Sequence, residues 1–562
     1  MINTILIPIL VFAITIALSW PLGRYMKWAM APSDPGPRRR SYERAARGLF
    51  GGFLDEGQNW KQYIISLLAF NAVMWSFVFT VIGLQHYLPL NPDGKGALTP
   101  DLLYNTVSSF TSNTNLQHYS GEVSMSYLSQ LFGLMWLQFV SAATGIAALA
   151  ALCRGLAGKV KMGNFFTDLH RATFLVLLPL AFIGAVLLML GGMPMTFKGA
   201  AVASTLEGVT QTISRGPAAA FVSIKQLGTN GGGFFGPNST HPFENPIYWT
   251  NILENIYILL IPMGCVWMFG RITRRMKHAT VIFGVMLVLF VTLVGVANWA
   301  ETQQPTAALT QLPVEQSHGN LEGKEMRLGD AWSGSTWAVS TTSTSNGSVG
   351  NMNDSMNPLA GLMPMIGMWL NSIFGGVGVG FINMFLYVVV AVFIAGLMVG
   401  RTPEYLTKKV ESKEMKLALI PLLLHPFMII GGTALFAVTP WGLEAIQDVG
   451  SHGLSEIIYE FSSASANNGS GFEGLGDNTL MWNTFTGTIM LLMRYIPIIT
   501  PLAIAGLLAG KKESPVTSGT LRTNTVTFGL ILIAVLVIIG ALLFLPVAVL
   551  APIAEHLGAV VG

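Results

Sequence analysis

Long apolar runs separated by polar loops dominate the chain. Each run is about 20 residues long, which is the length that an α-helix needs to cross a bilayer. We predict ten such spans, near residues 5–22, 63–84, 127–152, 172–191, 252–269, 281–298, 363–399, 417–439, 481–509 and 527–550. The pattern predicts an all-α polytopic membrane protein.

Four shorter, mildly amphipathic segments lie in the loops after the second, fourth, sixth and eighth spans. They cover residues 101–110, 216–227, 331–342 and 454–463, which are too few to cross a bilayer. We predict four re-entrant half-helices. The C-terminal end of such a helix carries partial negative charge, which favours a cation beside it.

A polar motif follows each half-helix and recurs at intervals of about 120 residues. Its four copies are Thr111-Ser-Asn-Thr-Asn115, Thr229-Asn-Gly-Gly-Gly233, Thr344-Ser-Asn-Gly-Ser348 and Ala466-Asn-Asn-Gly-Ser470. We align Asn113, Asn230, Asn346 and Asn468, which places Thr114 where the other copies have glycine. Glycine permits dihedrals that aim successive carbonyl oxygens at one axis. Rings of such carbonyls can replace the hydration shell of a potassium ion.

The repeats define the organisation of the chain. We predict a first span with a basic loop (1–60), four pore repeats (61–160, 161–275, 276–405 and 406–515) around a central pore, and a last span (516–562). The alternative is that Asn-Gly dipeptides simply form turns. Four copies at matched spacing, each after a half-helix and between two spans, favour the pore.

Composition and charge agree with this fold. Only 10% of the 562 residues are charged and 52% are hydrophobic. A net charge of +3 with dispersed basic residues excludes nucleic acid as a partner. Most Lys and Arg residues lie in the loops after odd-numbered spans, so we expect these loops to be cytoplasmic and both termini to lie outside. The first basic residue that flanks the first span is Arg24, after it, so we expect this span to be retained rather than removed as a signal peptide.

Four longer strings are family-specific. They are Asn59-Trp-Lys-Gln-Tyr63, Leu227-Gly-Thr-Asn-Gly-Gly-Gly-Phe-Phe235, His241-Pro-Phe-Glu-Asn-Pro246 and Gly396-Leu-Met-Val-Gly-Arg-Thr-Pro-Glu-Tyr405. The chain closely resembles, from its first span to its last, the potassium-binding subunits of the bacterial Kdp potassium-transporting P-type ATPase, within the potassium channel and transporter superfamily.

The resemblance implies a function and a set of site residues. A subunit of this family binds potassium from outside and passes it to an ATP-hydrolysing P-type subunit in the bacterial cell membrane, with two small accessory subunits completing the complex. The implied potassium filter consists of Asn113, Thr114, Thr229, Asn230, Gly231, Gly232, Ser345, Asn346, Gly347, Asn467, Asn468 and Gly469. Asn115 and Gln117 flank it.

Two features beneath the filter are candidates for a barrier and a gate. Arg494 interrupts the ninth span, where an arginine needs a partner or a watery cavity. The family implies a positive barrier against passive leak, and the alternative is a structural salt bridge or a side chain that snorkels to the helix end. Gly375, Gly376 and Gly378 interrupt the over-long seventh span, because several glycines would destabilise a continuous helix. We predict a break that forms a gate, with close packing through small residues as the alternative.

We assign no chemical role to the remaining polar residues near the motifs. We expect His118 to contact solvent, His425 to be a satisfied core histidine, and Lys225, Glu254 and Glu460 to be paired or exposed. Cys153 and Cys265 lie in or beside spans and predict neither a disulfide nor a zinc site.

The sequence lacks the motifs that a catalytic function would require. The sequence contains no nucleotide-binding loop and no Asp-Lys-Thr-Gly-Thr phosphorylation string, so we expect no ATP hydrolysis by this chain alone. The alternative to a pump subunit is an autonomous potassium channel or ion-coupled potassium transporter of the same superfamily. Carbonyl filters serve both, so the motif itself does not decide between them.

Overall fold

The computed structural model describes residues 2–31, 37–51, 56–302, 321, 323–324, 328, 331–398, 400, 402–515 and 521–558. Within these residues, ten helices are long and apolar enough to cross a membrane, which confirms the predicted number. In chain order we name them spans 1 to 10: Leu6–Met30, Trp60–Gly83, Ser129–Leu156, Phe165–Leu190, Tyr248–Ile272, Met276–Thr302, Val379–Met398, Ser412–Ala437, Leu480–Ala509 and Val526–His556.

Polar residues at the ends of the apolar runs start several spans. Asn59 precedes span 2, and its side-chain oxygen accepts hydrogen bonds from the amides of Lys61 (3.0 Å) and Gln62 (3.1 Å). The Gln62 side chain in turn accepts from the Asn59 amide at 3.0 Å. Such a capping box satisfies amides that have no partner inside the helix.

The four predicted half-helices are present and lie within about three residues of their predicted bounds. We name them pore helices 1 to 4: Pro100–Thr111, Ala218–Leu227, Ala331–Ser343 and Ser451–Ala466. Each packs against the span that precedes it, which is span 2, 4, 6 or 8. The span, pore helix, span unit is therefore repeated four times.

Burial divides each repeat into an outer and an inner span. The most apolar windows of spans 2, 4, 6 and 8 are 22%, 28%, 44% and 33% buried, whereas those of spans 3, 5, 7 and 9 are 89%, 89%, 78% and 61% buried. The span after each pore helix therefore lines the interior, and the span before it faces outward. Spans 1 and 10 are 39% and 22% buried and lie outside the four repeats.

The first and last repeats meet and close a ring. Pore helix 1 packs along span 9. There the Asn105 side-chain amide donates to the Asn483 carbonyl at 3.0 Å and to Thr486 Oγ1 at 2.8 Å. These contacts join residues far apart in sequence, so the fourth repeat completes the arrangement that the first begins.

The predicted seventh span, 363–399, is interrupted as expected. A helix over Pro358–Leu370 ends at Asn371, whose φ of 44° is left-handed, and span 7 begins at Val379. Between them Gly376 (φ 93°) and Gly378 (φ 83°) take conformations that favour glycine. We name residues 371–378 the span 7 break.

Several smaller elements were not predicted. An amphipathic helix covers Pro37–Phe50, and short helical turns cover Gln85–Tyr87, Gly121–Ser124, Asn238–Thr240 and Pro440–Leu443. β1 (Ala201–Ser204) pairs antiparallel with β2 (Thr210–Ile213), and β3 (Glu404–Tyr405) with β4 (Lys408–Lys409). Three π-helical turns, at Ser129–Met135, Ala172–Leu177 and Val549–Ile553, lie within spans 3, 4 and 10.

Candidate ion-binding site

Four short loops follow the pore helices and begin with the same backbone conformation. Asn113, Thr229, Ser345 and Asn467 have left-handed φ values of 66°, 46°, 47° and 53°. Left-handed φ also occurs two positions later, at Asn115 (58°), Gly231 (74°), Gly347 (86°) and Gly469 (108°). The four loops therefore share one three-residue conformation, which we name the filter loops 1 to 4.

Hydrogen bonds fix the same register independently. The amide of each middle residue donates to the carbonyl five residues earlier: Thr114 to Ser109 (2.9 Å), Asn230 to Lys225 (2.9 Å), Asn346 to Thr341 (2.7 Å) and Asn468 to Ser463 (2.9 Å). Thr114, not Asn113, is therefore equivalent to the three middle asparagines.

Our sequence alignment of the first loop was wrong by one residue. Loop 1 contains asparagine at both positions 113 and 115, and the alignment matched the first of these to Asn230. In the structure Asn115 occupies the position of the three glycines, and the intervals between the first three loops become equal. Asparagine is the residue besides glycine that most readily adopts a left-handed φ.

The loops touch one another in a ring through these glycines. A Cβ atom on Gly231 would lie 1.9 Å from the Asn346 carbonyl oxygen, and a Cβ on Gly347 would lie 2.1 Å from that of Asn468. A Cβ on Gly469 would lie 2.0 Å from the carbonyl oxygen of Thr114. Each glycine therefore faces the middle carbonyl of the next loop at a distance that excludes any side chain.

The side chains of the middle asparagines brace the ring. Asn346 Nδ2 donates to the Lys225 carbonyl at 3.2 Å, and Asn468 Nδ2 donates to the Thr341 carbonyl at 3.0 Å. Each amide therefore reaches the end of the pore helix in the preceding repeat. The nitrogen atoms of these two amide groups are therefore used for bracing, and the backbone carbonyl oxygens of the loops face one another across the ring.

Side chains from other segments form hydrogen bonds with filter loop 2 and with the residues that follow it. Gln117, the predicted flanking residue, accepts from the Gly233 amide at 2.6 Å and donates to the Gly233 carbonyl at 3.0 Å. Asn238 Nδ2 donates to the Gly231 carbonyl at 2.7 Å, and Asn238 Oδ1 accepts from Lys225 Nζ at 2.6 Å. Lys225 is completely buried and forms an ion pair with Glu244.

The span 7 break contacts two filter loops and the end of pore helix 4. The Val377 amide donates to Thr229 Oγ1 at 2.9 Å, and Ser345 Oγ donates to Asn371 Oδ1 at 2.9 Å. Asn371 Nδ2 also donates to the Ala466 carbonyl at 3.2 Å. The break is thus attached to the first residues of loops 2 and 3 and to the residue that precedes loop 4.

The break also packs closely against span 3. A Cβ on Gly378 would lie 2.1 Å from the Gly145 carbonyl oxygen, and a Cβ on Gly145 would lie 2.2 Å from that of Val377. The alternative of close packing through small residues is therefore confirmed alongside the helix break. Gly375 belongs to the same turn, because a Cβ on Gly380 would lie 2.1 Å from the Gly375 carbonyl carbon.

Arg494 lies beside the span 7 break. Its side chain is buried, and Nη2 donates to the Ser141 carbonyl at 2.9 Å. Within the described residues no carboxylate lies within 4.0 Å of it. Arg494, Asn113, Ser345, Asn467 and Gly376 line a cavity of about 10 Å³, about the room that one water needs.

Sequence reasoning missed Ser141, which connects Arg494 to Asn113 in loop 1. Ser141 Oγ donates to Asn113 Oδ1 at 2.8 Å, and Asn113 Nδ2 donates to the Thr229 carbonyl at 2.8 Å. Gln138, one turn earlier, donates to Asn115 Oδ1 at 3.1 Å. A signal was available, because polar residues spaced three apart in an otherwise apolar span indicate an inward-facing stripe.

The expectation that His118 contacts solvent was wrong. Its side chain is fully buried, with Nδ1 2.7 Å from Asn483 Oδ1 and Nε2 3.1 Å from Glu460 Oε1. Asp477 lies 3.7 Å from the same nitrogen. Burial disfavours the charged imidazole, but the carboxylates of Asp477 and Glu460 outweigh it and raise the pKa of His118 to about 9. A charged His118 therefore joins the segment after loop 1 to pore helix 4.

The other residues to which we assigned no chemical role are buried, and each polar one has at least one hydrogen-bond partner. His425 is buried between Ser465 Oγ (2.8 Å from Nδ1) and the Met368 carbonyl (3.1 Å from Nε2), as expected for a core histidine. Glu254 Oε2 accepts from Gln226 Nε2 at 2.8 Å. Cys153 and Cys265 are buried, free thiols.

Comparisons with known proteins agree with the sequence resemblance. A family model described as Potassium-transporting ATPase A subunit matches residues 9–557. Proteins named potassium-transporting ATPase potassium-binding subunit from Geobacillus kaustophilus, Bacteroides thetaiotaomicron and Rhodospirillum centenum are similar at 47%, 48% and 47% identity. The alignments cover 98%, 97% and 99% of this chain and 98% of each relative.

A solved structure supports the fold independently. The crystal structure of the potassium transporter TrkH from Vibrio parahaemolyticus superposes with a TM-score of 0.51, covering 90% of this chain and 98% of that one. The two sequences are 14% identical, so the likeness concerns the fold alone.

Proposed function

Because the chain belongs to the Potassium-transporting ATPase A subunit family, we propose that its four filter loops bind potassium ions and that the chain delivers them to an ATPase partner. Ten apolar helices and this membership make it a multi-pass membrane protein. The partner complex follows from the relatives' names, since they are subunits of a potassium-transporting ATPase.

The observation that carries the proposal is the ring of loop contacts. Four equivalent backbone segments meet through carbonyl oxygens, and no side chain separates them at three of the four contacts. A potassium ion must exchange its hydration shell for oxygen ligands, and carbonyl rings supply these without full negative charges. The pore helices end at the same loops, so their dipoles add to the attraction for a cation.

The proposed filter is the set of three-residue loops with their immediate neighbours. It consists of Asn113, Thr114, Asn115, Thr229, Asn230, Gly231, Gly232, Ser345, Asn346, Gly347, Asn467, Asn468 and Gly469, with Gln117 as a brace. Side-chain asparagines hold the ring while backbone oxygens contact the ion. Because loop 1 has Asn115 in place of glycine, the fourfold symmetry of the filter is approximate.

Arg494 and the span 7 break form the proposed barrier beneath the filter. A buried guanidinium with no carboxylate beside it repels a cation that leaves the filter downward. The break supplies the proposed gate through Gly375, Gly376 and Gly378, and Gly375 and Gly376 line the small cavity that Arg494 also lines. Ions are therefore held above the barrier until they are taken into the partner rather than leaking through the chain.

The complex is proposed to contain an ATP-hydrolysing P-type subunit and two small accessory subunits in a bacterial cell membrane. From the Lys- and Arg-rich loops that follow the odd-numbered spans, we infer that these loops are cytoplasmic and that both termini lie outside. The chain itself is non-catalytic, and ATP hydrolysis belongs to the partner.

The decisive experiment compares the complex with the isolated chain. ATP hydrolysis by the complex should rise with potassium and not with sodium, while the isolated chain in vesicles should pass no potassium. Strong potassium flux through the isolated chain would instead establish an autonomous channel or ion-coupled transporter. Hydrolysis that responds equally to both ions would reject the potassium filter.

A further inference from the structure

A large cavity lies at the end of the molecule that carries the basic loops, opposite the filter loops. Its volume is about 870 Å³. Its walls come from span 1, the turn between spans 5 and 6, the β3–β4 turn and the segment before span 10. Glu404 is the one carboxylate among the described lining residues. Seven cations line the cavity, namely Arg24, Lys27, Arg271, Arg274, Arg275, Lys277 and Arg522.

Six of these cations have no carboxylate partner in the described part of the chain. No carboxylate oxygen lies within 4.0 Å of Arg24, Arg271, Arg274, Arg275, Lys277 or Arg522. Several other cations at the same end of the molecule are paired. Arg154 pairs with Asp168, Arg171 pairs with Glu43 at 2.5 Å, and Lys511 pairs with Glu411 and Glu414 at 2.8 Å. The cavity therefore gathers six cations that have no carboxylate partner within the described residues.

Like charges gathered around one space repel one another unless an anion enters it. Arginine and lysine together favour phosphate, since the planar guanidinium donates two parallel hydrogen bonds to phosphate oxygens and lysine adds a point charge. Apolar side chains of Met276, Leu406 and Leu521 complete the wall. A phosphate group joined to an apolar body matches both parts of the lining.

Aromatic side chains place the cavity at the membrane interface. Trp20, Tyr25 and Trp28 on span 1 are 50%, 39% and 38% exposed, and the guanidinium of Arg271 lies 4.4 Å from the centre of the Trp20 ring. Exposed Trp and Tyr at the end of a span mark the level of lipid headgroups. The cavity is thus at the depth where phospholipid phosphates lie.

We propose that this cavity binds a phosphate-bearing anion, and that the headgroup of an anionic phospholipid is its source. The site is separate from the filter and does not depend on the proposed potassium function. Basic groups next to a membrane attract anionic lipids in general. The cavity would in addition hold one headgroup at a defined position.

The test measures lipid binding by the purified complex in nanodiscs that contain phosphatidylcholine with a small fraction of fluorescent phosphatidylglycerol. The double variant Arg275→Gln/Lys277→Gln removes two cations from the cavity. Lys413→Gln/Lys416→Gln is the charge-matched control, because both lysines are exposed near the start of span 8 and outside the cavity. We expect phosphatidylglycerol to bind the wild type and the control at least fivefold more tightly than the cavity variant.

Inorganic pyrophosphate separates the two sources of phosphate. If it binds the wild type and not the cavity variant, while phosphatidylglycerol binds both alike, the phosphate site stands and its ligand is soluble. Equal lipid and pyrophosphate binding by wild type, control and cavity variant overturns the proposal. So does a cavity variant that keeps its lipid preference but no longer co-purifies with the ATPase, because the cavity would then dock a partner. Potassium-stimulated hydrolysis in each variant reports that the filter is intact.

Discussion

At the residue scale, the contacts between the filter loops depend on positions that have room for glycine and for no larger residue. Gly347 has a φ of 86° and faces the Asn468 carbonyl oxygen. An alanine there would have to adopt a left-handed conformation that costs about 1–2 kcal/mol. Its Cβ would also displace the neighbouring loop. The glycine is therefore required by geometry between two loops, not by one loop alone.

We expect Gly347→Ala to raise the potassium concentration for half-maximal ATP hydrolysis by the complex at least tenfold and to weaken discrimination against sodium. The reason is that the Asn468 carbonyl must move away from its 2.1 Å contact with the new Cβ. The control is Gly284→Ala in span 6, where nothing lies within 4 Å of a new Cβ. Unchanged potassium dependence in Gly347→Ala would reject the filter geometry.

The charge on His118 should make the stability of the folded protein depend on pH. Its pKa is raised from 6.5 to about 9, which corresponds to on the order of 3 kcal/mol favouring the charged form in the folded protein. This stabilisation is fully present below pH 6.5 and is lost as the pH rises through 9. The charged groups that face His118 are Glu460 and Asp477, and Asn483 contacts its other nitrogen.

We therefore expect the thermal unfolding midpoint of the wild-type chain to fall between pH 7 and pH 10 and that of His118→Gln to fall less over the same range. His86→Gln is the matched control, because His86 lies outside this network and its replacement should leave the wild-type slope unchanged. Parallel pH curves for wild type and His118→Gln would show that the imidazole does not carry this charge.

At the scale of helices and loops, the sequence predicted most of the architecture. Apolar runs and short amphipathic segments identified the ten spans and four pore helices, because their lengths differ clearly. The register of loop 1 was not predictable from a motif in which Asn occurs at both positions 113 and 115. Only the left-handed φ values and the hydrogen bond from Thr114 to Ser109 distinguish the two alignments.

Contacts made by single polar residues inside spans were also outside the reach of the sequence. Ser141 accepts a hydrogen bond from Arg494, and Asn371 donates one to the Ala466 carbonyl, so both residues have a partner in the fourth repeat. Short β-pairs such as β1–β2 have only four residues per strand, so local alternation is too brief to identify them. The break itself was predictable because glycine clusters destabilise a continuous helix.

The span 7 break should control the rate of transport more than the affinity for potassium. Gly378→Ala places a Cβ 2.1 Å from the Gly145 carbonyl and moves the break away from span 3, whereas the filter loops keep their contacts with one another. We expect the maximal rate of potassium-stimulated ATP hydrolysis to fall at least threefold while the half-saturating potassium concentration stays within twofold. Gly431→Ala in span 8, with nothing near the new Cβ, should match the wild type. A large change in affinity at an unchanged maximal rate would contradict the role given to the break.

At the scale of the whole molecule, one chain builds a closed ring from four unequal repeats. Closure depends on contacts between the first repeat and the last: Asn105 with span 9, Asn467 Nδ2 with Thr114 Oγ1 at 2.9 Å, and His118 with Glu460. Each joins residues more than half the chain apart. Such non-local contacts carry a large loop-closure cost, so we infer that the filter is completed only when the fourth repeat has docked.

Weakening this closure should disturb the filter from a distance. Asn105→Ala removes hydrogen bonds to the Asn483 carbonyl and Thr486 Oγ1, worth about 1 kcal/mol each. We expect a lower thermal midpoint together with a severalfold higher half-saturating potassium concentration, since filter loop 1 follows directly from pore helix 1. Asn71→Ala is the matched control, because the buried Asn71 amide donates at 2.8 Å to Leu67 within its own helix. It should lower stability without changing the potassium dependence. If both variants lose stability and neither alters the response to potassium, the four repeats act independently, and the filter does not require the ring to be closed at this contact.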